Sequence, residues 1–422
     1  MLSIDHTIES WVRRWRERVD LPLRVRWHTD AGAAGEAPFW DLGNFEQPRV
    51  TITVRDAAAL PALLAPSLDT LGEAYVEGRI DVEGAIEDVI AMAQTLVATS
   101  AESESRTPGT LSRWVRALTT HTRRSDREAI EYHYDVSNDF YARWLDPAMV
   151  YSCAYFEQGD EDLATAQRKK IDHILTKVRL QPGQTLLDIG CGWGALVMRA
   201  AQAFGARCVG ITLSQAQYDL ARERVAAAGL ADRVEIRLQD YRDVDGTYDC
   251  ITSVGMFEHV GLRHLPEYFR IIHDRLAPGG WCLNHGITTT DPHDGETPHG
   301  GGRFIDRYVF PHGELPHIGT VLRTLQEGGL EPFDVESLRR HYALTLTHWS
   351  RAFEAQRDAL RAMVPEKTWR IWRVYLAGCA WAFEHDQVSI FQVLCRRAGR
   401  SAQELPWSRR WIYEGQTRGP SG

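Results

Sequence analysis

The residues of this chain that could do chemistry gather first between Thr185 and Gln217, which reads T-L-L-D-I-G-C-G-W-G-A-L-V-M-R-A-A-Q-A-F-G-A-R-C-V-G-I-T-L-S-Q-A-Q. Thr185–Ile189 is an apolar run long enough for one buried strand. Gly190, Gly192 and Gly194 follow at alternate positions. Ala195–Phe204 then has helical periodicity up to a stop at Gly205, and Cys208–Ile211 is a second apolar run. Glycines at this spacing let a backbone turn sharply and approach a ligand closely. The helix starts after G-x-G-x-G, not after the G-x-G-x-x-G of dinucleotide binders, and no Lys-Ser/Thr follows to make a phosphate loop. Asp188 stands just before the turn, so a ligand with a cationic end suits it better than a pyrophosphate. S-adenosylmethionine, with its ammonium and sulfonium, is such a ligand.

The elements that must position this turn can be read on either side of it. A helix over Ala164–Leu180 leads into the first strand. Beyond it come a helix (Gln217–Ala228), strands at Val234–Leu238 and Tyr248–Val254, a helix (Leu262–Leu276), and a strand Trp281–Ile287 entered through Pro278-Gly279-Gly280. Strands alternating with helices predict a parallel sheet covered on both faces. Ligands bind past the carboxyl ends of such strands. Those ends are Gly190–Gly194, Thr212–Gln217, Gln239–Tyr241, Gly255–His259 and His285–Ile287. Glu131–Phe156 mixes aromatic and small polar residues, as a ligand pocket does. His341–Glu384 reads as a helical, aromatic-rich insertion covering the site, and Val388–Cys395 as a last strand.

Residues 1–98 read as a small α+β domain, with strands at Leu23–Trp27 and Val50–Val54 and helices at Ala57–Leu64 and Ile86–Ala98. A linker follows over 99–125, and the catalytic domain runs from 126 to 422. Ile8, Trp11, Val12, Trp15 and Val19 fall at helical spacing among Arg13, Arg14, Arg16 and Arg18. Such a helix either docks on anionic lipid or packs on its own domain. Arg113, Arg116, Arg123, Arg124 and Arg127, with Trp114, could meet lipid phosphates or form a solvated face.

The length of 422 residues predicts two domains, and a net charge of −9 argues against general nucleic-acid binding. The seven cysteines are scattered and form no C-x-x-C, which predicts a reducing, cytoplasmic setting without a zinc framework. His293, His299 and His312 are spaced too irregularly for a metal site, so no metal is expected and a loop or lid over Thr288–Arg303 is. No signal peptide and no apolar run of about 20 residues is evident.

At its motifs the chain resembles the S-adenosylmethionine-dependent cyclopropane-fatty-acyl-phospholipid synthases, a family that includes the mycolic acid cyclopropane synthases. The resemblance runs from His133 to about Arg396. It rests on H-Y-D-V-S-N-D-F-Y (133–141), Y-S-C-A-Y-F (151–156), L-L-D-I-G-C-G-W-G (186–194), G-I-T-L-S (210–214), L-Q-D-Y-R-D (238–243), M-F-E-H-V-G (256–261), N-H-G-I (284–287) and F-I-D-R-Y-V-F-P (304–311). L-G-E-A-Y-V-E-G (71–78) resembles the smaller domain of phospholipid-acting members. The resemblance implies an α/β fold: a Rossmann-like methyltransferase domain with a helical insertion and a final antiparallel strand, preceded by a smaller α+β domain. It implies that Tyr151 and Ser152 approach the methionine end of the cofactor and that Asp188, Gly190, Gly192, Trp193 and Gly194 line it. Thr212, Leu213 and Gln217 would hold the ribose, and Asp240 and Tyr241 the adenine. A bicarbonate is implied beside the reacting carbons, held by Cys153, Glu258, His285, the Ile287 backbone and Tyr342.

The reaction so implied transfers a methylene group to the cis double bond of an acyl chain in a phospholipid. An alkene is a weak nucleophile, so its carbon must lie about 3–3.5 Å from the sulfonium methyl. The resulting cation needs a dry pocket, aromatic faces and a small base. Tyr132, Tyr134, Phe140, Tyr155 and Tyr308 could supply the faces. Methyl-branched or exomethylene chains, a small-molecule methyltransferase and a silent lipid binder are the competing readings. The expected partner is unsaturated phospholipid at the inner membrane surface, with no nucleic acid; a homodimer is left open.

Overall fold

The computed structural model describes residues 4–28, 38–101, 136–293, 302–310 and 313–414. The chain divides into two compact units. One comprises Met1–Leu111, Thr297–Val309 and Arg357–Trp381; the other comprises Ser112–Glu296, Phe310–Gln356 and Ala382–Gly422. Two segments from the C-terminal half complete the N-terminal unit.

In that first unit, strands β1 (Leu23–Trp27), β2 (Phe39–Asp41), β3 (Val50–Val54) and β4 (Ile80–Glu83) form a sheet of order β2-β1-β3-β4. The returning segments are held by specific contacts. The ring of Phe304 lies 2.9 Å from where a Cβ at Gly72 would sit, so only glycine fits there. Glu77 accepts from Tyr308 Oη at 2.8 Å and from Lys367 Nζ at 2.9 Å. Arg370 donates to the carbonyls of Tyr75 and Ile80 and to Asp81. This accounts for L-G-E-A-Y-V-E-G as a receiving surface for the later segments. In the helix Ile4–Arg16, Trp11, Val12 and Trp15 are buried, with the two indoles 5.9 Å apart, while Arg13, Arg14 and Arg16 are exposed. The tryptophans serve their own domain's core, and a lipid contact would be left to the arginines.

The second unit carries a seven-stranded sheet of order β10-β11-β9-β8-β5-β6-β7. Its strands are β5 (Thr185–Ile189), β6 (Arg207–Thr212), β7 (Val234–Leu238), β8 (Tyr248–Val254), β9 (Leu276–Thr289), β10 (Leu330–Ser337) and β11 (Val388–Arg397). The five from β5 to β9 pair in parallel, and β10 and β11 run antiparallel. The expected last strand thus sits between β9 and an edge strand, β10, that the sequence reading left unassigned. Pro332 and four acidic or hydroxyl residues weaken the strand signal of L-E-P-F-D-V-E-S, and the register shifts at Pro332/Asp334. β9 begins at Leu276, ahead of the expected Trp281, and the Pro-Gly-Gly segment forms an irregularity inside it. Two apolar cores, one on each side of the sheet, bury its strands.

Candidate active site

The glycine turn is held in the conformation its residues permit. Gly190, Gly192 and Gly194 have φ of 85°, 54° and 85°, a region that other residues avoid. The N–H groups of Gly190 and Cys191 both bond Ile211 O, at 3.0 and 2.9 Å, which ties the turn to the end of β6. A Cβ at Gly210 would lie 2.9 Å from that of Cys191, so this close approach also requires glycine.

Around the turn opens a cleft of about 1180 Å³ including its mouth. Of the cofactor residues read from the sequence, Tyr151, Ser152, Asp188, Gly190, Gly192, Trp193, Thr212, Leu213, Gln217 and Tyr241 line it. Gly194 and Asp240 do not. Gly194 backs onto Ala221, and both carboxylate oxygens of Asp240 are taken by Arg242, at 2.9 and 2.7 Å. Arg242 is the member of that pair that reaches the cleft. Thr212 Oγ1 bonds Gln217 Oε1 at 2.8 Å and fixes the entry to the helix Gln215–Ala227.

Two ionisable groups of the cleft wall, Asp188 and Lys170, are buried. Asp188 accepts from Thr252 Oγ1 at 2.7 Å, and burial pushes its carboxyl up to about 6. Lys170 also lines the cleft; burial lowers its ammonium to about 8, and its Nζ donates to Ser152 Oγ at 2.6 Å. Asn138, in the H-Y-D-V-S-N motif, joins Trp193 Nε1 at 2.8 Å to Ala216 O at 3.1 Å. Lys170, Arg242 and Asn138 were not singled out by sequence reasoning, although Arg242 and Asn138 lie inside the quoted motifs; Lys170 lies between two of them, on the helix Leu163–Lys177.

The second group of expected residues lies outside the cleft lining, beside it. β9 runs to Thr289 while β8 stops at Val254, so the Ile287 N–H has outrun its ladder partner on that side. The carboxylate of Glu258, on the short turn Phe257–His259, takes it: Oε1 accepts from Ile287 N at 2.7 Å. Gly286 makes room for this turn, because a Cβ there would lie 2.1 Å from the ring of Phe257. Among the described residues Glu258 Oε2 is buried without a partner, and burial pushes the carboxyl up to about 7. His285 is 1% exposed; Nδ1 meets the Gln392 amide at 3.2 Å, and Nε2 is buried without a partner among the described residues. Burial, with the charges of Lys170 and Lys177, holds this imidazole well below its usual range, so it is neutral.

Cys153 is fully buried, and its thiol is raised well above the usual range by that burial. Sγ faces the carbonyls of Ala154 (3.3 Å) and Leu338 (3.8 Å). A protonated thiol turned to carbonyls is no nucleophile. Leu338 O also accepts from Tyr342 N at 3.0 Å, which connects Cys153 to the helix Arg339–Ala355 that carries Tyr342. The aromatic wall differs from the expected one. Rings follow one another from Trp193 through Tyr141 (5.1 Å), Tyr151 (5.6 Å) and Trp349 (5.2 Å) to Tyr342 (6.0 Å). They connect the cofactor cleft with the second group. Phe140 packs behind them on Trp144 and Phe353. Tyr155 instead stacks on His173 and His341, and Tyr308 belongs to the other unit. Tyr132, Tyr134, His299, His312, residues 102–125 and Arg127 lie outside the described residues.

A parallel sheet with a glycine-turn cleft at its strand ends, an acid at the turn and a capping antiparallel strand defines the Rossmann-like methyltransferases. Residues 121–393 match the family described as mycolic acid cyclopropane synthetase, and the chain belongs to that family. It is an S-adenosylmethionine-dependent methyltransferase. Residues 37–105 match a domain of unknown function. A "Probable fatty acid methyltransferase" of Pseudomonas putida is 44% identical over 94% of this chain and 98% of its own. The tuberculostearic acid methyltransferase UfaA1 of Mycobacterium tuberculosis is 36% identical over 91% of this chain and 90% of its own. The crystal structure of the mycolic acid cyclopropane synthase CmaA1 complexed with SAH and CTAB aligns with a TM-score of 0.61 at 37% identity, over 64% of this chain and 98% of that one.

Proposed function

We propose that the protein methylates the cis double bond of an unsaturated fatty acyl chain in a phospholipid and releases an open-chain product, an exomethylene chain or a methyl-branched alkene. S-adenosylmethionine supplies the methyl group from its sulfonium. Asp188 would face the cationic methionine end, while Tyr151, Trp193, Thr212, Gln217 and Tyr241 orient the cofactor. The rings from Tyr141 to Tyr342 exclude water and present π-faces to the positive charge that develops on the acyl chain.

Closing the reaction without added electrons requires loss of one proton. Alkene plus transferred methyl, minus that proton, gains CH2, whether the result is an exomethylene chain or a ring. Glu258 Oε2 is the group placed to hold the proton, since burial brings its affinity close to neutral. Bicarbonate fits the acceptor of Glu258 and the donor of His285 that have no partner among the described residues, which would hold it as a small oxyanion beside the developing positive charge. Ile287 N–H is already engaged by Glu258, so the peptide orients that carboxylate.

The observation that carries the open-chain reading is extent. Similarity to fatty acid methyltransferases spans both units, whereas similarity to the cyclopropane synthase structure stops at 64% of the chain. Ring closure is the second reading, favoured by the Glu258–His285 pair. We further propose that the enzyme works as a peripheral protein on the inner membrane surface; among the described residues no helix is long and apolar enough to cross a membrane. Oleoyl-phospholipid vesicles incubated with the enzyme and cofactor, followed by NMR of the recovered acyl chains, test the product. Exomethylene protons are expected; cyclopropyl protons alone would favour the second reading, and an unmodified chain would reject both.

A further inference from the structure

Behind the second group lies a chain of buried polar groups that neither cofactor binding nor proton loss uses directly. Gln392, the register partner of His285 on β11, accepts at Oε1 from Lys177 Nζ at 2.9 Å. Lys177 donates to Glu336 Oε2 at 2.5 Å, and the same oxygen bonds His173 Nε2 at 2.8 Å. His173, Lys177 and Gln392 are 0% exposed.

The hydrogen-bonding inventory of these groups permits one arrangement. An ammonium only donates, so Gln392 must turn its carbonyl oxygen to Lys177 and its NH2 to His285. An NH2 group only donates, so Nδ1 of His285 must accept with its lone pair. A neutral imidazole carries a single N–H, and that proton is then at Nε2, the atom without a partner among the described residues. Flipping Gln392 would set NH2 against ammonium. An ion pair whose ammonium is fully buried adds little net stability over apolar residues of equal size. What it does impose is a direction on Gln392.

We infer that Lys177 and Gln392 are positioning residues that fix His285 as an Nε2–H donor, so that His285 binds an oxyanion in the reaction pocket and Glu258 takes the proton. The proton's origin rests on the acyl-methylation reading; the tautomer does not.

The test begins with full-length protein labelled with 15N-histidine, the His285 signals being those missing from His285→Asn. The wild type is expected to show protonated Nε2 and bare Nδ1; a protonated Nδ1 overturns the inference. Gln392→Glu keeps an acceptor for Lys177 but offers Nδ1 a carboxylate. The proton is expected to move to Nδ1 and kcat to fall about 10- to 100-fold. Cofactor Kd is expected to stay within about twofold, separating kcat from binding. Lys177→Met, which releases Gln392, is expected to give mixed tautomers and a smaller loss. A Gln392→Glu protein that keeps both the Nε2–H tautomer and wild-type kcat overturns the inference. So does a kcat loss that tracks melting temperature with the tautomer unchanged. If acyl methylation is not the reaction, wild-type enzyme transfers no label to unsaturated phospholipid while the histidine spectrum still reports Nε2–H, so the two failures are distinguishable.

Discussion

The cofactor cleft and the reaction pocket share one sheet but are built in different ways. The cleft is centred on one contiguous stretch: a strand, its turn and the next helix supply the largest single share of its wall, and backbone conformation does much of the work there. The pocket draws Glu258 from the turn after β8, His285 from β9, Gln392 from β11 and Lys177 from the helix Leu163–Lys177. A ligand that needs close backbone approach can be provided by a short motif. Proton chemistry needs buried groups kept short of partners, and only tertiary register can keep them so.

Replacing Glu258 with Gln should divide the two regions most sharply. A group that accepts a proton in the transition state contributes about 10²–10⁴-fold, and that loss is expected in kcat, with cofactor binding by calorimetry unchanged. Asp188→Asn should do the reverse, weakening cofactor binding by about 10- to 100-fold, the range for a hydrogen-bonded charged contact. If Glu258→Gln abolished cofactor binding as well, the two regions would be one.

Gly286→Ala sharpens the comparison from the packing side. The added methyl meets the ring of Phe257 and must displace the turn that bears Glu258. Overpacking costs about 1–3 kcal/mol, so a lower melting temperature is expected together with a kcat loss smaller than that of Glu258→Gln.

The smallest effect concerns stability and pH. Burial raises the Glu258 carboxyl from 4.5 to about 7. A raised pKa in the folded state means that the stability this group provides is complete below about pH 4.5 and is lost as pH rises to about 7. Glu258→Gln removes that loss. The inactive variant is therefore expected to match wild type at acid pH and to exceed it by about 1–3 kcal/mol above neutrality in denaturant titrations. A variant no more stable than wild type at pH 8 would show that the Glu258 charge is not strained by burial.

Much of the second unit was legible because its signals are local. β5, β7 and β8 begin and end where their apolar runs do, and the glycine turn names its own cleft. β10 was not legible, since an edge strand interrupted by Pro332 and by Glu331, Asp334 and Glu336 carries no strong apolar run. Neither was the completion of the N-terminal unit by Phe304, Tyr308, Lys367 and Arg370, whose partners lie more than 200 residues away. Aromatic residues showed the limit most plainly. Composition marked Tyr155 and Tyr308 as readily as Tyr141 and Trp349, and only the fold separates the ring that stacks on His173 from those that follow Trp193.

The most direct measurement follows a cofactor carrying a fully deuterated methyl group into oleoyl-phospholipid vesicles, in wild type and Glu258→Gln. The wild type is expected to place two deuterons on one added carbon of an exomethylene acyl chain, the third having left as the proton, while the variant binds cofactor and transfers label about 10²–10⁴-fold more slowly. Label in the headgroup, or equal transfer by the variant, would contradict the account.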